Sequence, residues 1–231
     1  MIFASVQTIS GTGANHLGAL FLSRFYPWLG EKAVGLSNPT WGKMIPLGVS
    51  TLRRSSNISL VQSSNTSNIA NHHAIFRNVG ITPIDYPYYD PATIGLAFQP
   101  LLAHIKAAPE KSVFLLHPCA HNPTGVDPTL EQWGAIADVM LERGHYAFFD
   151  CAYQGFASGD LERDAIAVCI LYCWCLHCIR YLLDFRADYD CHDLSWTCGA
   201  GLWQIRYFIQ RKVPMLVCQV SHITPRPSSK A

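Results

Sequence analysis

Apolar and polar positions alternate along this chain in two rhythms, and the rhythm switches repeatedly. Ser5 to Ile9 is short and β-prone, and the SGTGA that follows (Ser10 to Ala14) reads as a Gly-rich turn. From Asn15 to Tyr26, Leu17, Leu20, Phe21 and Phe25 recur at helical spacing. Lys32 to Leu36 is the next candidate strand, and NPTWG breaks it. The alternation resumes at Asn71, with a helix around Ala74 to Val79, a strand at Ile84 to Tyr86 and a helix at Leu96 to Ala107. A strand at Val113 to His117 leads into the loop CAHNPTGVDPT. A helix then runs from about Leu130 to Arg143, with Trp133, Ile136, Val139 and Met140 as its apolar stripe. The strand Tyr146 to Asp150 ends in a second loop, CAYQGFASGD. Strands separated by helices of this length predict an α/β fold, a mostly parallel sheet with crossover helices. Sheets of that kind hold ligands beyond the carboxyl ends of their strands, where the loops after His117 and Phe149 fall.

Two stretches depart from this rhythm. Residues 43–70 are rich in Ser, Asn and Thr and carry neither period. Residues 169–205 hold six of the nine cysteines, crowded between Cys169 and Cys198. A zinc module is one explanation for that cluster, with Cys175 and Cys178 as a C-x-x-C and His177 and His192 nearby. Structural zinc prefers two close ligand pairs on turns, however, and Cys191 and Cys198 are too far apart to make the second.

Composition narrows the classes without naming one. The chain has 231 residues, 49% apolar and 14% charged, with a formal charge of +1, which excludes disordered and collagen-like proteins. Seventeen basic against sixteen acidic residues leave no electrostatic footprint for nucleic acid or an anionic membrane, so neither is expected as a partner. The longest apolar run, Ala165 to Ile179, contains His177 and meets Arg180, and is short for a membrane span. The first residues show no basic segment followed by an apolar block; the cytoplasm is the expected compartment, with the mitochondrion as the alternative.

Five features gather chemistry at the predicted strand-end crevice. SGTGA opening a helix offers free N–H groups and the Ser10 and Thr12 hydroxyls to an anion, most naturally a phosphate, although most Gly-rich turns are only turns. Asp150 closes an apolar strand, where an ionised carboxylate needs a partner; an N-cap or a loop ion pair is the plainer alternative. Tyr153 can donate a phenolic hydrogen bond, His121 and Asn122 stand in the turn set by Pro123 and Gly125, and Trp41 lies in another Pro/Gly turn. As single residues, Tyr153 and Trp41 are more often packing.

In this order the stretches SVQTISGTGANHLGA, LSNPTWG, NHHAIFRNVGI, YYDPATIGL, LLHPCAHNPTGVDPTLEQW, FFDCAYQGFASGDLERDA and RYFIQRKVPMLVCQ resemble the pyridoxal-phosphate-dependent aminotransferases of fold type I, in particular aspartate aminotransferases. The resemblance implies part of their large, cofactor-binding domain, from residues 1–42, 71–168 and 206–219. It implies that Ser10, Gly11 and Thr12 bind the cofactor phosphate and that Trp41 stacks on the pyridine ring. Asp150 would pair with the pyridinium nitrogen, keeping the ring an electron sink. His72 and His117 would support that carboxylate, and Asn122 and Tyr153 would hydrogen-bond the 3-oxygen. No metal ligand is expected among these residues. The implied substrates are a dicarboxylic amino acid and a 2-oxo acid, aspartate and 2-oxoglutarate giving oxaloacetate and glutamate, in a homodimer.

The chain departs from the family pattern at residues 43–70, 169–205 and 220–231. Val220-Ser221 after Gln219 can be encoded by GTAAGT, a common splice-donor sequence. Val168-Cys169 can be encoded by GTATGT, and Gly42-Lys43 permits GGT-AAG. The three segments are expected to be translated introns, with genuine insertions and a variant tail as the rival reading, and the insertion after Gly42 is expected to displace Trp41. The family's Schiff-base lysine would follow Gln219; the one later lysine, Lys230, stands in an unrelated tail. The expectation is a non-catalytic chain, either a fragment or a gene-model artefact.

Overall fold

The computed structural model describes residues 2–42, 71–174, 203–209 and 215–220. Strand β1 (Ile2–Thr8) leads into helix α1 (Ser10–Phe25), then β2 (Ala33–Asn38). Helix α2 (Asn71–Asn78), β3 (Thr82–Pro87), a short hairpin of β4 (Tyr89–Asp90) and β5 (Gly95–Leu96), and helix α3 (Phe98–Ala107) follow. Next come β6 (Val113–Leu116), α4 (Leu130–Glu142), β7 (Tyr146–Cys151), α5 (Leu161–Asp164), α6 (Ile166–Trp174), β8 (Trp203–Ile209) and β9 (Met215–Val220). Among the described residues, no helix is long and apolar enough to cross a membrane.

Seven strands form one sheet in the order β1-β8-β9-β7-β6-β2-β3. Pairs β2–β3, β2–β6, β6–β7 and β7–β9 are parallel, whereas β8 runs antiparallel to both β1 and β9. This is the mostly parallel α/β sheet that the strand–helix rhythm predicts.

The continuous apolar strands follow from burial on both faces. In β6 and β7 every residue is buried. Phe114, Leu116, Ala147 and Phe149 face a core built with Leu101 and Ile105 of α3, Trp133, Ile136 and Met140 of α4, and Val168 and Leu171 of α6. Val113, Leu115, Tyr146 and Phe148 face the other core, with Ala14, Ala19 and Leu22 of α1 and Ile75 and Phe76 of α2. The period of two thus divides the helices into two layers, α1 and α2 on one side and α3, α4 and α6 on the other.

The observed elements correct several sequence expectations. SGTGA is not a turn before the helix: it is the helix's first turn, so α1 begins at Ser10 rather than Asn15. The β4–β5 hairpin and α5 have no periodic signal in sequence, β4 and β5 being two residues each and α5 four. Helix α6 continues six residues past Val168, to Trp174. Residues 43–70, most of the cysteine cluster (including Cys175, Cys178, Cys191 and Cys198) and the 221–231 tail lie outside the described residues.

Candidate functional site

The same period of two selects the groups at the carboxyl ends of the strands. Asp150 shares its face of β7 with Tyr146 and Phe148, and His117 continues the face of Val113 and Leu115. Both therefore enter the layer occupied by α1 and α2. His72, in the first turn of α2, meets Asp150 there, with Nε2 2.9 Å from Oδ2. Its other nitrogen, Nδ1, lies 2.7 Å from Thr40 Oγ1. Asp150 and His117 are each 5% exposed, and His72 is fully buried.

Burial alone would raise the Asp150 pKa, since a charged carboxylate loses water there. The hydrogen bond from His72 and the neighbouring His72 and His117 imidazoles outweigh this, with a smaller contribution from Asn15 of α1. The carboxyl is held below its ordinary value, so it is ionised at neutral pH. Burial pushes His117 down to about 4, against a partial upward pull from Asp150 and a further lowering by His72, so that ring is neutral.

Two atoms of this cluster have no hydrogen-bond partner: Asp150 Oδ1 and His117 Nε2. A buried polar atom left unsatisfied costs about 1–3 kcal/mol, more for a charged group. An ionised oxygen in that state is a feature to be met by a ligand carrying a cation or an N–H donor.

The Asn15 contribution also fixes where the helix start sits. At about 1.5 Å rise per residue, Thr12 and Ser10 lie about 5 and 8 Å from Asn15 along the α1 axis. The first turn of α1 has no acidic residue, and its N-cap, Ile9, supplies no side-chain hydrogen bond. Ser10 has φ +62°, a left-handed conformation uncommon for a residue with a Cβ. The N–H groups of Gly11 and Thr12 thus belong to an uncapped helix terminus, suited to an anion.

Trp41 stays beside the cluster despite the 28 residues between Gly42 and Asn71. Its ring meets His72 edge-on, with centroids 5.3 Å apart and planes at 73°. The displacement expected from the insertion is not observed. At the crevice rim, the Asn122 amide donates to the Tyr153 hydroxyl at 3.3 Å, so the two loops meet through residues that sequence alone assigned to one ligand atom.

A second polar network covers the opposite face of the sheet. His121 approaches Ser37 Oγ through Nε2 and Thr124 Oγ1 through Nδ1, both at 2.8 Å. It stacks on Tyr88 with centroids 3.8 Å apart. Asp127 accepts the Ala120 and His121 N–H groups, and Asp164 accepts those of Gly155, Ala157 and Ser158. Each carboxylate folds one site loop back on itself. Sequence reasoning missed Thr40, Ser37, Asn15, Asp127 and Asp164. Their signal was position inside the motif-bearing segments, because none carries a spacing rule of its own.

The family described as aminotransferase class I and II matches residues 64–188, more than half of the chain. This chain belongs to that family. Aminotransferases of the family are also its close matches in sequence. The mitochondrial aspartate aminotransferase of Dictyostelium discoideum is 47% identical over 165 residues, covering 71% of this chain and 32% of its own length. Among solved structures, the cytoplasmic aspartate aminotransferase of Saccharomyces cerevisiae superposes with a TM-score of 0.59 at 44% identity, over 74% of this chain and 34% of that one. An aromatic-amino-acid aminotransferase of Burkholderia pseudomallei, covalently bound to pyridoxal phosphate, gives 0.58 at 32% identity, over 74% and 35%. The chain spans about a third of the length of the curated relatives it matches.

Proposed function

We propose that this aminotransferase-family chain is the part of a cofactor-binding domain that grips pyridoxal 5'-phosphate at its phosphate and at its ring nitrogen. The observation that carries this reading is the unpaired Oδ1 of a buried, ionised Asp150 that meets Asn15, a residue five positions into α1 from its uncapped start. Ser10, Gly11 and Thr12 would hold the phosphate, and Asp150, kept ionised by His72, would bind the protonated ring nitrogen. Trp41 would cover the ring, while Asn122 and Tyr153 would donate to its 3-oxygen. His72 and His117 would keep water from the carboxylate. When bound, the cofactor supplies an electron-withdrawing ring on which amino groups are exchanged. The Asp150 carboxylate would hold the proton at the ring nitrogen that makes the ring withdrawing.

Relatives named aspartate aminotransferases support aspartate as a substrate of the whole protein; 2-oxoglutarate as the acceptor and a homodimeric assembly complete our reading. These relatives include cytoplasmic and mitochondrial proteins, and the cytoplasm is our reading for this one. Residues 1–231 by themselves would bind without turning over, because the family-like stretch RYFIQRKVPMLVCQ is followed by VSHITPRPSSKA, whose Lys230 lacks the family context. We read residues 43–70, 169–205 and 220–231 as translated introns, although the family match spans residues 64–188 and Leu171 packs in the core; transcript reads uninterrupted across codons 42 to 71 would overturn this.

Pyridoxamine 5'-phosphate tests the grip, because its amine cannot condense with stray lysines. Calorimetric titration of the 231-residue chain is expected to show one saturable site, weakened about 100-fold in Asp150→Ala, the loss of one charge-assisted contact of roughly 2.7 kcal/mol. Equal binding by the two proteins overturns the reading. Formation of oxaloacetate from aspartate by the chain alone overturns its inactivity.

A further inference from the structure

Two thiols take no part in the proposed cofactor site. Cys119 and Cys151 are free and buried, 6% and 1% exposed. The fold sets them side by side. Strands β6 and β7 are parallel neighbours with Leu116 opposite Phe149, and strands so paired lie about 4.8 Å apart. Cys119 stands three residues past Leu116 and Cys151 two past Phe149, each at the root of one site loop. Their thiols meet: Cys119 is the hydrogen-bond neighbour that does most to hold Cys151 above its ordinary pKa, with burial next. The Cys151 thiol also donates to Gln154 Oε1 at 3.5 Å. We propose that Cys119 and Cys151 form an oxidisable dithiol, whose disulfide staples the CAHNPTG loop to the CAYQGF loop.

Disulfides need Cα atoms about 4.4–6.8 Å apart, a range that includes the spacing of adjacent strands. The oxidant is a hydroperoxide. Cys119, the more exposed sulfur, loses its proton to water and attacks the peroxide, so that an S–O bond forms as the O–O bond breaks. The departing hydroxide takes up a proton as water. Cys151 sulfur then attacks Cys119 sulfur: the S–S bond forms, the S–O bond breaks, and the second hydroxide leaves with the Cys151 proton as water. Two electrons pass from the sulfur pair to one peroxide. Burial makes the first step slow, and the adjacent thiol ends the oxidation at the disulfide. Asn122 and Tyr153 already join the same loops at the rim, and the bridge would lie beneath them. It requires nothing of the ligand that the site takes.

Trypsin separates the two sulfurs into peptides 112–143 and 144–163, each with one cysteine. The 231-residue chain is treated with hydrogen peroxide, blocked with N-ethylmaleimide and digested. Mass spectrometry should find these two peptides joined, two hydrogens lighter than the free pair, and parted by dithiothreitol. In chain unfolded by urea before oxidation, where nine cysteines pair without guidance, the joined species should be about 10-fold scarcer. The oxidised chain should melt about 5 °C above the reduced one, the shift for a bridge closing a loop of roughly 30 residues, and Cys151→Ser should lose that shift. Equal yields from native and unfolded chain overturn the proposal, as does Cys119 recovered only as a sulfinic or sulfonic acid. A bridge that leaves the melting temperature unmoved overturns the staple.

Discussion

The two ends of the central sheet differ in what they bury. At the amino ends of β2 and β6 a cleft of about 450 Å³ opens between Trp28, Leu29, Ala107, Val113 and Phe114, with few polar groups in its walls. At the carboxyl ends there is instead a concentration of buried polar side chains: His72, His117, His121, Asp150 and Ser37. The lesson is that volume and chemistry part company here. A carboxylate held ionised with one oxygen unpaired is a better sign of a ligand than an apolar hollow.

Acid should reveal the difference first. His117 is held at about 4, whereas an exposed histidine titrates near 6.5. Between those values the unfolded chain binds a proton that the native ring refuses, so stability falls as pH drops through that window. The full difference is about 3 kcal/mol, and Asp150, held ionised, adds a loss in the same direction below the ordinary carboxylate range. Urea midpoints at pH 7 and pH 4.5 measure it, and His117→Gln should flatten the slope. A profile unchanged by that substitution places the acid sensitivity elsewhere.

Asp150→Ala comes next, with its roughly 100-fold loss of pyridoxamine phosphate affinity at about 2.7 kcal/mol. Gly35→Ala is its counterpart at the cleft end. A Cβ there would stand 2.4 Å from the Phe114 ring, so overpacking should cost about 1–3 kcal/mol in thermal melts. Cofactor affinity should stay within twofold of the parent, and a larger change would join the two ends that the structure separates. The smallest effect belongs to Thr129→Ala. Thr129 and Gln132 form a reciprocal capping box at the start of α4, worth about 1 kcal/mol, and nothing in it touches the polar cluster.

The sequence made the strand–helix alternation legible because each face of the sheet imposes its own period. The ends of β2, β3, β6 and β7 fall within two residues of the expected positions. Asp150, Asn122 and Tyr153 were legible as residue types in motif-bearing segments, His72 and His117 only through the family resemblance; the structure brings Asp150, His72 and His117 together and Asn122 and Tyr153 together. The start of α1 was misread because two glycines and a threonine favour a turn locally, while packing of Ala14, Ala19 and Leu22 on the sheet draws the helix back to Ser10. Asp127 and Asp164 could not have been found by pattern: each collects backbone N–H groups across six to nine residues of loop, and loops have no period.

Among the described residues, the first strand has its single strand neighbour in β8, where Ile2 pairs with Ile209 across more than two hundred residues. Closing a loop of that length is slow, and it must precede the docking of the edge that carries the Ser10 turn. Any ribosome making this chain therefore releases the start of α1 early and secures it almost last. Until residues 203–220 emerge, β7 has its open side uncovered and β1 has nowhere to join, so the crevice is among the final parts of the molecule to exist.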